Sequence, residues 1–477
     1  MNEKPKRSYK KLLLIIAAMI TVVFVLPFGA LQYQASQHHS AVAWAESQGG
    51  LVFPPSGRKY LEDSSLPDWL ESISDPICEY YFYDSVVAIF ITDHEVTDIS
   101  LFSEFNQLER LALTNTQTAD LAVLGQLPNL KHLTLIDLPA TDLSSLTQIN
   151  NLESFTLAGS KIKTLEFLTG HKNLQEIDLS GTPVSDLSPI RKLTNLTTIN
   201  LSKTHISDIS PISKLTQLNS VDLSETLVSD INALASITGL ESLNLHGTSV
   251  TDISPLSQSK NLVDLDLSNT LVSDVSPLIL NSQYLEKLNL SGTQVVSLSP
   301  LAKLDALSSL DLSNTPVLDL APLGKLGGIE SLDLSNTLIT DISVLARLSQ
   351  LGVLSLADTQ VVEFSVLKKL ENLVSLDLSN TGFKNASLLS LNNPMLGLDL
   401  KNTPVSDLSP FREFTSLSFW SIDLSGTKVS DISPLLNISI GTLNLENTKV
   451  PEEQINQYKN KMTGEFSSIY SDFDDHE

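Results

Sequence analysis

A single cysteine, Cys78, stands in 477 residues, so no internal disulfide framework and no cysteine-based zinc site can form. Histidine is sparse as well: eight are scattered along the chain, and none forms an H-E-x-x-H or H-x-H run. Basic residues are outnumbered, 30 Lys and Arg against 55 Asp and Glu, for a net charge of -25. So acidic a surface argues against nucleic acid as a partner, because phosphate binding relies on Lys and Arg. Outside a repeated consensus there is no nucleophile–base pair, no Gly-rich phosphate loop and no metal-ligand spacing. No catalytic residue, cofactor or metal site is expected, and an enzyme is the weakest reading.

The charge is unevenly spread. Lys4, Lys6, Arg7, Lys10 and Lys11 against Glu3 leave residues 1–11 at +4, and residues 12–31 carry no charge. That leaves -29 on residues 32–477 against the total of -25. Leu12–Leu31 reads LLLIIAAMITVVFVLPFGAL. A helix of ~20 apolar residues spans the hydrocarbon core, whereas a cleaved signal usually has an apolar stretch of about 7–15. Ala41-Val42-Ala43 has the look of a cleavage site but lies well past the run, which favours an uncleaved signal-anchor. Basic residues before the run and none after it until Arg58 predict a cytoplasmic N-terminus and export of the acidic bulk to the periplasmic side of the inner membrane.

From about residue 87 the sequence repeats itself. Indexed by a Thr-like position, the units fall at 94, 116, 138, 160, 182, 204, 226, 248, 270, 293, 315, 337, 359, 381, 403, 427 and 448, so the period is 22 with few exceptions. Within a unit, Leu265-Asp266-Leu267 is a short strand with inward leucines. A turn of the Ser-Asn-Thr kind follows, then a Val or Ile that returns to the core. Asp252-Ile253-Ser254-Pro255-Leu256 next starts a short helical piece, with Ser as cap and Pro in the first position. The few remaining residues allow only a 3₁₀ turn or one α turn. No unit can bury its apolar face alone, so neighbours stack, the strands pair in parallel on a concave face, and the helical turns line the convex one. The Thr hydroxyl is expected to bond the adjacent coil; His94, Leu138 and Ser160 depart from Thr.

The unit L-x-L-S-x-T-x-V-S-D-I-S-P-L resembles the 22-residue leucine-rich repeat of the bacterial internalin-like class, with Thr where that class usually has Asn. The head, with Ala41 to Gly50 (AVAWAESQGG) and Pro67-Asp68-Trp69-Leu70, resembles that of membrane-anchored leucine-rich repeat proteins of planctomycete-type bacteria. The resemblance implies an exported, anchored scaffold that recognises a protein or other macromolecule. It carries over no catalytic residue. A structural envelope spacer without a ligand is the alternative.

The organisation read from the chain is an α/β solenoid preceded by one transmembrane helix. Residues 1–11 are the cytoplasmic head, 12–31 the anchor, 32–43 a stalk, 44–86 an N-terminal cap with the run Tyr80-Tyr81-Phe82-Tyr83. Residues 87–450 are the solenoid, and 451–477 a cap helix and acidic tail.

Two surfaces stand out. The outward residue between the strand leucines becomes an Asp/Asn column from the fifth unit: Asp178, Asp222, Asp266, Asp311, Asp333, Asp377, Asp399 and Asp423, with Asn200, Asn244 and Asn289 interleaved. One reading is a consensus in which Asp, Asn and Ser satisfy one another locally. The other is a polar track for a basic partner or cations. A second row, from Asp98 to Asp431, precedes the Ser-Pro step and is read as capping. The first units lose the Asp column and gain Phe90, Arg110, His132 and Ile136 on the same face, and aromatic and Arg residues are typical of binding hot spots. The sixteenth unit has a two-residue insertion at Ser418-Phe419-Trp420-Ser421, whose Trp420 either contacts a partner or fills a kink.

Overall fold

Leucines at alternate positions, bounded by polar turns every 22 residues, force short strands that must share one core. The computed structural model has that form. It describes residues 51–53, 87–92, 94–281, 283–389, 397–413, 418–461 and 468–471, in two compact units that divide after Leu227. The head, the 12–31 run, the stalk, the Tyr80–Tyr83 run and the last six residues lie outside the described residues. Among those described, no helix is long and apolar enough to cross a membrane.

The first unit holds β1 (Leu51–Phe53), β2 (Ala88–Ile91), β3 (Arg110–Thr114), β4 (His132–Ile136), β5 (Ser154–Ala158), β6 (Glu176–Asp178), β7 (Thr198–Asn200) and β8 (Ser220–Asp222). β2 to β8 pair in parallel, each with the next, and β1 adds an antiparallel strand against β2. The second unit holds β9 (Ser242–Asn244), β10 (Asp264–Asp266), β11 (Lys287–Asn289), β12 (Ser309–Asp311), β13 (Ser331–Asp333), β14 (Val353–Ser355), β15 (Ser375–Asp377), β16 (Gly397–Asp399), β17 (Ser418–Asp423), β18 (Ser439–Asn444) and β19 (Ser468–Tyr470). These too are parallel neighbours in order. Short 3₁₀ turns carry the return of each coil, as at Ser254–Gln258 and Ser299–Lys303. Parallel pairing in constant register puts equivalent leucines in columns: Leu310, Leu332 and Leu354 are aligned and each at most 1% exposed.

Three local features differ from the expectations above. The Thr hydroxyl bonds its own coil rather than the next. From Thr182 to Thr448 every Thr at that position donates to the carbonyl three residues back, as Thr182 does to Leu179 at 2.6 Å. The strand has ended there, and in many coils the same carbonyl also takes the Thr backbone amide, as Leu179 O does from Thr182 at 3.3 Å, so the turn closes on itself. A Thr hydroxyl reaches the preceding coil at other positions, as Thr118, two residues past Thr116, does at Val96 O and Thr197 at Gln175 O.

Most of the 3₁₀ turns are capped by the Asp row, as expected of that row, and not by the Ser of the Ser-Pro step; Thr164, Ser297 and Asn385 stand in the Asp position in three others. All twelve carboxylates from Asp98 to Asp431 accept the amide two residues on, at 2.8–2.9 Å. That amide belongs to the first residue of the turn, the one commonly Ser, so its hydroxyl is past the capping position.

Helix α1 (Glu452–Lys459) begins after Pro451 and buries Ile455 and Tyr458, as a terminal cap requires. The chain then returns to the sheet: β19 sets Ile469 beside Leu443. The segment 451–477, read as a cap helix and acidic tail, therefore also contains one more parallel strand.

Candidate recognition surface

The outward face of the first unit is built by strand alternation. In β3 and β4 the residues Leu111, Leu113, Leu133 and Leu135 point into the core at 2% exposure or less. Arg110, Ala112 and Thr114, and His132, Thr134 and Ile136, therefore face out together. Arg110 is in register with His132, and Ile136 with Thr114 and Ala158. Phe90 faces out from β2 opposite Ala112, with β1 on its other side at Leu51. The four residues singled out in the sequence thus share one face of three adjacent strands. Lys131 and Glu109, the residues just before His132 and Arg110, are joined at 2.9 Å and tie the two strand starts together.

The Asp/Asn column begins where that patch ends. Its residues are half-buried in both units. Each Asp or Asn turns one oxygen onto the backbone amide two residues on, at 2.7–3.1 Å, from Asp178 with Ser180 to Asn444 with Glu446. This bond holds the chain as it leaves the strand for a turn with one left-handed residue. That residue stands immediately before the Thr: Asn269 at φ +54° and Gly292 at φ +67° are examples. The second oxygen of Asp266 accepts from Asn289 at 3.3 Å, and that of Asp423 from Asn444 at 3.0 Å. His246 meets the hydroxyl of Ser268, which in turn donates to Asp266. Among the described residues no three His, Cys, Asp or Glu side chains converge as metal ligands.

Where no Asn intervenes, carboxylates are register partners: Asp311 with Asp333, and Asp377 with Asp399 and Asp399 with Asp423. Asp399 is pushed up to about 6 and Asp311 is raised as well. Burial is the main cause in both, and the neighbouring carboxylates add to it. Hydrogen bonds hold the capping row down instead: Asp142, Asp186, Asp252, Asp341, Asp407 and Asp431 lie below the usual carboxylate range because the Ser two residues on donates to each.

The insertion in the sixteenth unit lengthens β17 at its start. Phe419 turns inward and packs against Phe411 at 6.3 Å between ring centroids, so it fills the core there. Trp420 is left outside at 75% exposure. Opposite it β18 has Gly441, where an added Cβ would lie 2.6 Å from the Trp420 carbonyl oxygen.

The sequence matches the family model described as Leucine Rich repeats (2 copies) over residues 172–212, 194–236 and 238–280. No curated protein matches the chain. Among solved structures, an internalin, inlF, of Listeria monocytogenes is 27% identical, with TM-score 0.54 over 69% of this chain and 88% of that one. A leucine-rich repeat protein of Leptospira interrogans is 20% identical, with TM-score 0.57 over 77% and 85%. The functional domain of InlJ of Listeria monocytogenes, which includes a cysteine ladder, is 19% identical, with TM-score 0.55 over 76% and 74%. This chain therefore carries leucine-rich repeats in a solenoid-like fold similar to that of bacterial internalins.

Proposed function

We propose that the protein is an exported, membrane-anchored recognition scaffold that binds a protein partner on the outward face of its first strands, around Phe90, Arg110, His132 and Ile136. The observation that carries this reading is the shared face. Where the regular polar column is absent, an aromatic, a guanidinium, an imidazole and a branched aliphatic stand on three paired strands. Such side chains dominate binding energy when they are desolvated together. Anchoring through residues 12–31, with the repeats on the periplasmic side, is supported by the basic head, the uncharged run and the acidic remainder.

The test is crosslinking and affinity purification of the full chain from envelopes of its source cells, beside a Phe90→Ala/Arg110→Ala variant with unchanged thermal unfolding. A saturable partner that the variant loses is the expected result. No partner at any crosslinker concentration favours an envelope spacer, and a partner retained by the variant moves the site elsewhere. Protease added outside the intact inner membrane is expected to remove the repeats and leave a short membrane-bound stub; repeats that survive overturn the orientation.

A further inference from the structure

We propose that the turn flank of the second unit, from Leu271 to Val362, is a second docking surface, and that its partner is a basic amphipathic helix. Five successive repeats each expose one large aliphatic side chain just after their Thr. These are Leu271 (52% exposed), Val296 (57%), Leu318 (59%), Leu338 (54%) and Val362 (77%). They stand one or three residues past the Thr, on either side of Val272, Val295, Val317, Ile339 and Val361, which are buried at 2% or less. The chain is extended there, so residues one and three point the same way and only the middle one serves the core. The amide of Leu271 donates to Val250 O at 3.0 Å and that of Gln294 to Val272 O at 2.9 Å, which ties successive coils together on this flank.

The apolar choice is not demanded by the fold. The same two positions are Ser249 and Thr251 one repeat earlier, and Gly382 and Lys384, then Pro404 and Ser406, later in the unit. Five exposed aliphatics in five consecutive coils, about 4.8 Å apart, make a row of roughly 20 Å. Isolated exposed leucines need no explanation, but a continuous row is the mark of an interaction surface.

Charge selects the occupant. Asp274, Asp319, Asp341 and Glu363 are exposed and border the row on one side, and Asp358 on the other. No Lys or Arg occurs among the four residues after Thr270, Thr293, Thr315, Thr337 or Thr359. Asp341 is held in its charged form by the Ser343 hydrogen bonds. A second copy of this chain would set these carboxylates against their equivalents, and an anionic bilayer would be repelled by a chain of net charge -25. A helix whose apolar residues recur every turn, about 5.4 Å, matches the coil spacing, and Lys or Arg beside them would meet the acidic border.

The experiment uses the full chain in zwitterionic nanodiscs, with empty discs subtracted. The probe is a fluorescent 18-residue Leu/Lys peptide with Leu at helical spacing, and the control has Glu in place of Lys. Saturable binding of the Lys peptide is expected, at least tenfold weaker for Leu318→Ser/Val362→Ser, unchanged for Phe90→Ala/Arg110→Ala, and weakened by salt. Val296→Ser/Leu338→Ser is the second variant if the first melts early. Equal binding by the Glu peptide, equal binding by both flank variants, or no saturable binding overturns the proposal. Self-association that the flank variants abolish overturns it in favour of a second copy.

Discussion

The carboxylate of Asp399 accepts the backbone amide of Lys401 at 2.8 Å, yet Asp399 is pushed up to about 6. One good hydrogen bond does not offset burial on the sheet between Asp377 and Asp423, the residues in register on either side. For a carboxylate raised in the folded state, the destabilisation is complete above the folded value and fades as pH falls through it. His171 works the other way. It is buried among positions that are Leu or Ile in neighbouring coils, donates from Nε2 to Phe167 O at 3.0 Å, and is lowered by burial. Its stability is complete above about 6.5 and is lost as pH falls toward the folded value. Between pH 7 and pH 5 the two oppose each other. Thermal unfolding at both values is expected to show Asp399→Asn removing an acid gain and His171→Leu removing an acid loss. Identical pH profiles for both variants and the parent would dispose of this account.

Removing the hydroxyl of Thr315 leaves the Leu312 carbonyl without its 2.5 Å donor in a buried turn. Thr315→Val is expected to cost about 1–2 kcal/mol, and Thr315→Ser much less, because Ser keeps the donor. Leu312→Asp, which buries a charge with no partner, is expected to cost several kcal/mol (about 4 or more). Ser313 is not a neutral control for these: it is itself buried, and its amide is the one Asp311 accepts. Lys303→Ser on the exposed 3₁₀ side serves instead, with an expected change within about 0.5 kcal/mol. Denaturant titration checks the order of the four.

Lys203 and Glu225 occupy the left-handed turn position at φ +57° and +54°, where most other repeats have Asn, Asp or Gly. Neither side chain offers the local hydrogen bond that makes that conformation tolerable for Asn and Asp. They meet at 3.3 Å, but both are half exposed or more, so the pair adds little. Replacing both by Asn is expected to stabilise by roughly 1 kcal/mol. A lower melting temperature in the double variant would mean that the ion pair outweighs the backbone cost.

Much of this was legible in the residues. The 22-residue period determined the strand columns, the parallel pairing and the short return turns, because one inward Leu must repeat wherever coils share a core. The outward placement of Phe90, Arg110, His132 and Ile136 followed from alternation alone. The left-handed turn also had a signal, Asn or Gly at one fixed position, although Lys203 and Glu225 hide it. Other features were not legible. Ser468–Tyr470 is too short a run to announce a strand, and only the register of Leu443 with Ile469 makes it one. The exposed row from Leu271 to Val362 looks like core in composition, since an apolar residue beside a core Val reads the same whichever way it points.

Trp420 and Gly441 separate stability from recognition at the insertion. Trp420 stands 75% exposed, so Trp420→Ala removes little buried surface and is expected to change stability by less than about 1 kcal/mol. The core at this point is held by Phe419 against Phe411, and Phe419→Ala is expected to cost about 3–5 kcal/mol. Gly441 supports the pair from the next strand. A Cβ there would come within 2.6 Å of the Trp420 carbonyl oxygen, a backbone atom that cannot swing aside. Gly441→Ala therefore forces β17 and β18 apart at their starts, at an expected cost of roughly 1–3 kcal/mol. Unfolding curves of the three single variants check this ranking. If Trp420→Ala proves as damaging as Phe419→Ala, the indole is a packing element and loses its place among candidate contacts. If it is silent in folding, its size and exposure leave binding as the property to measure next.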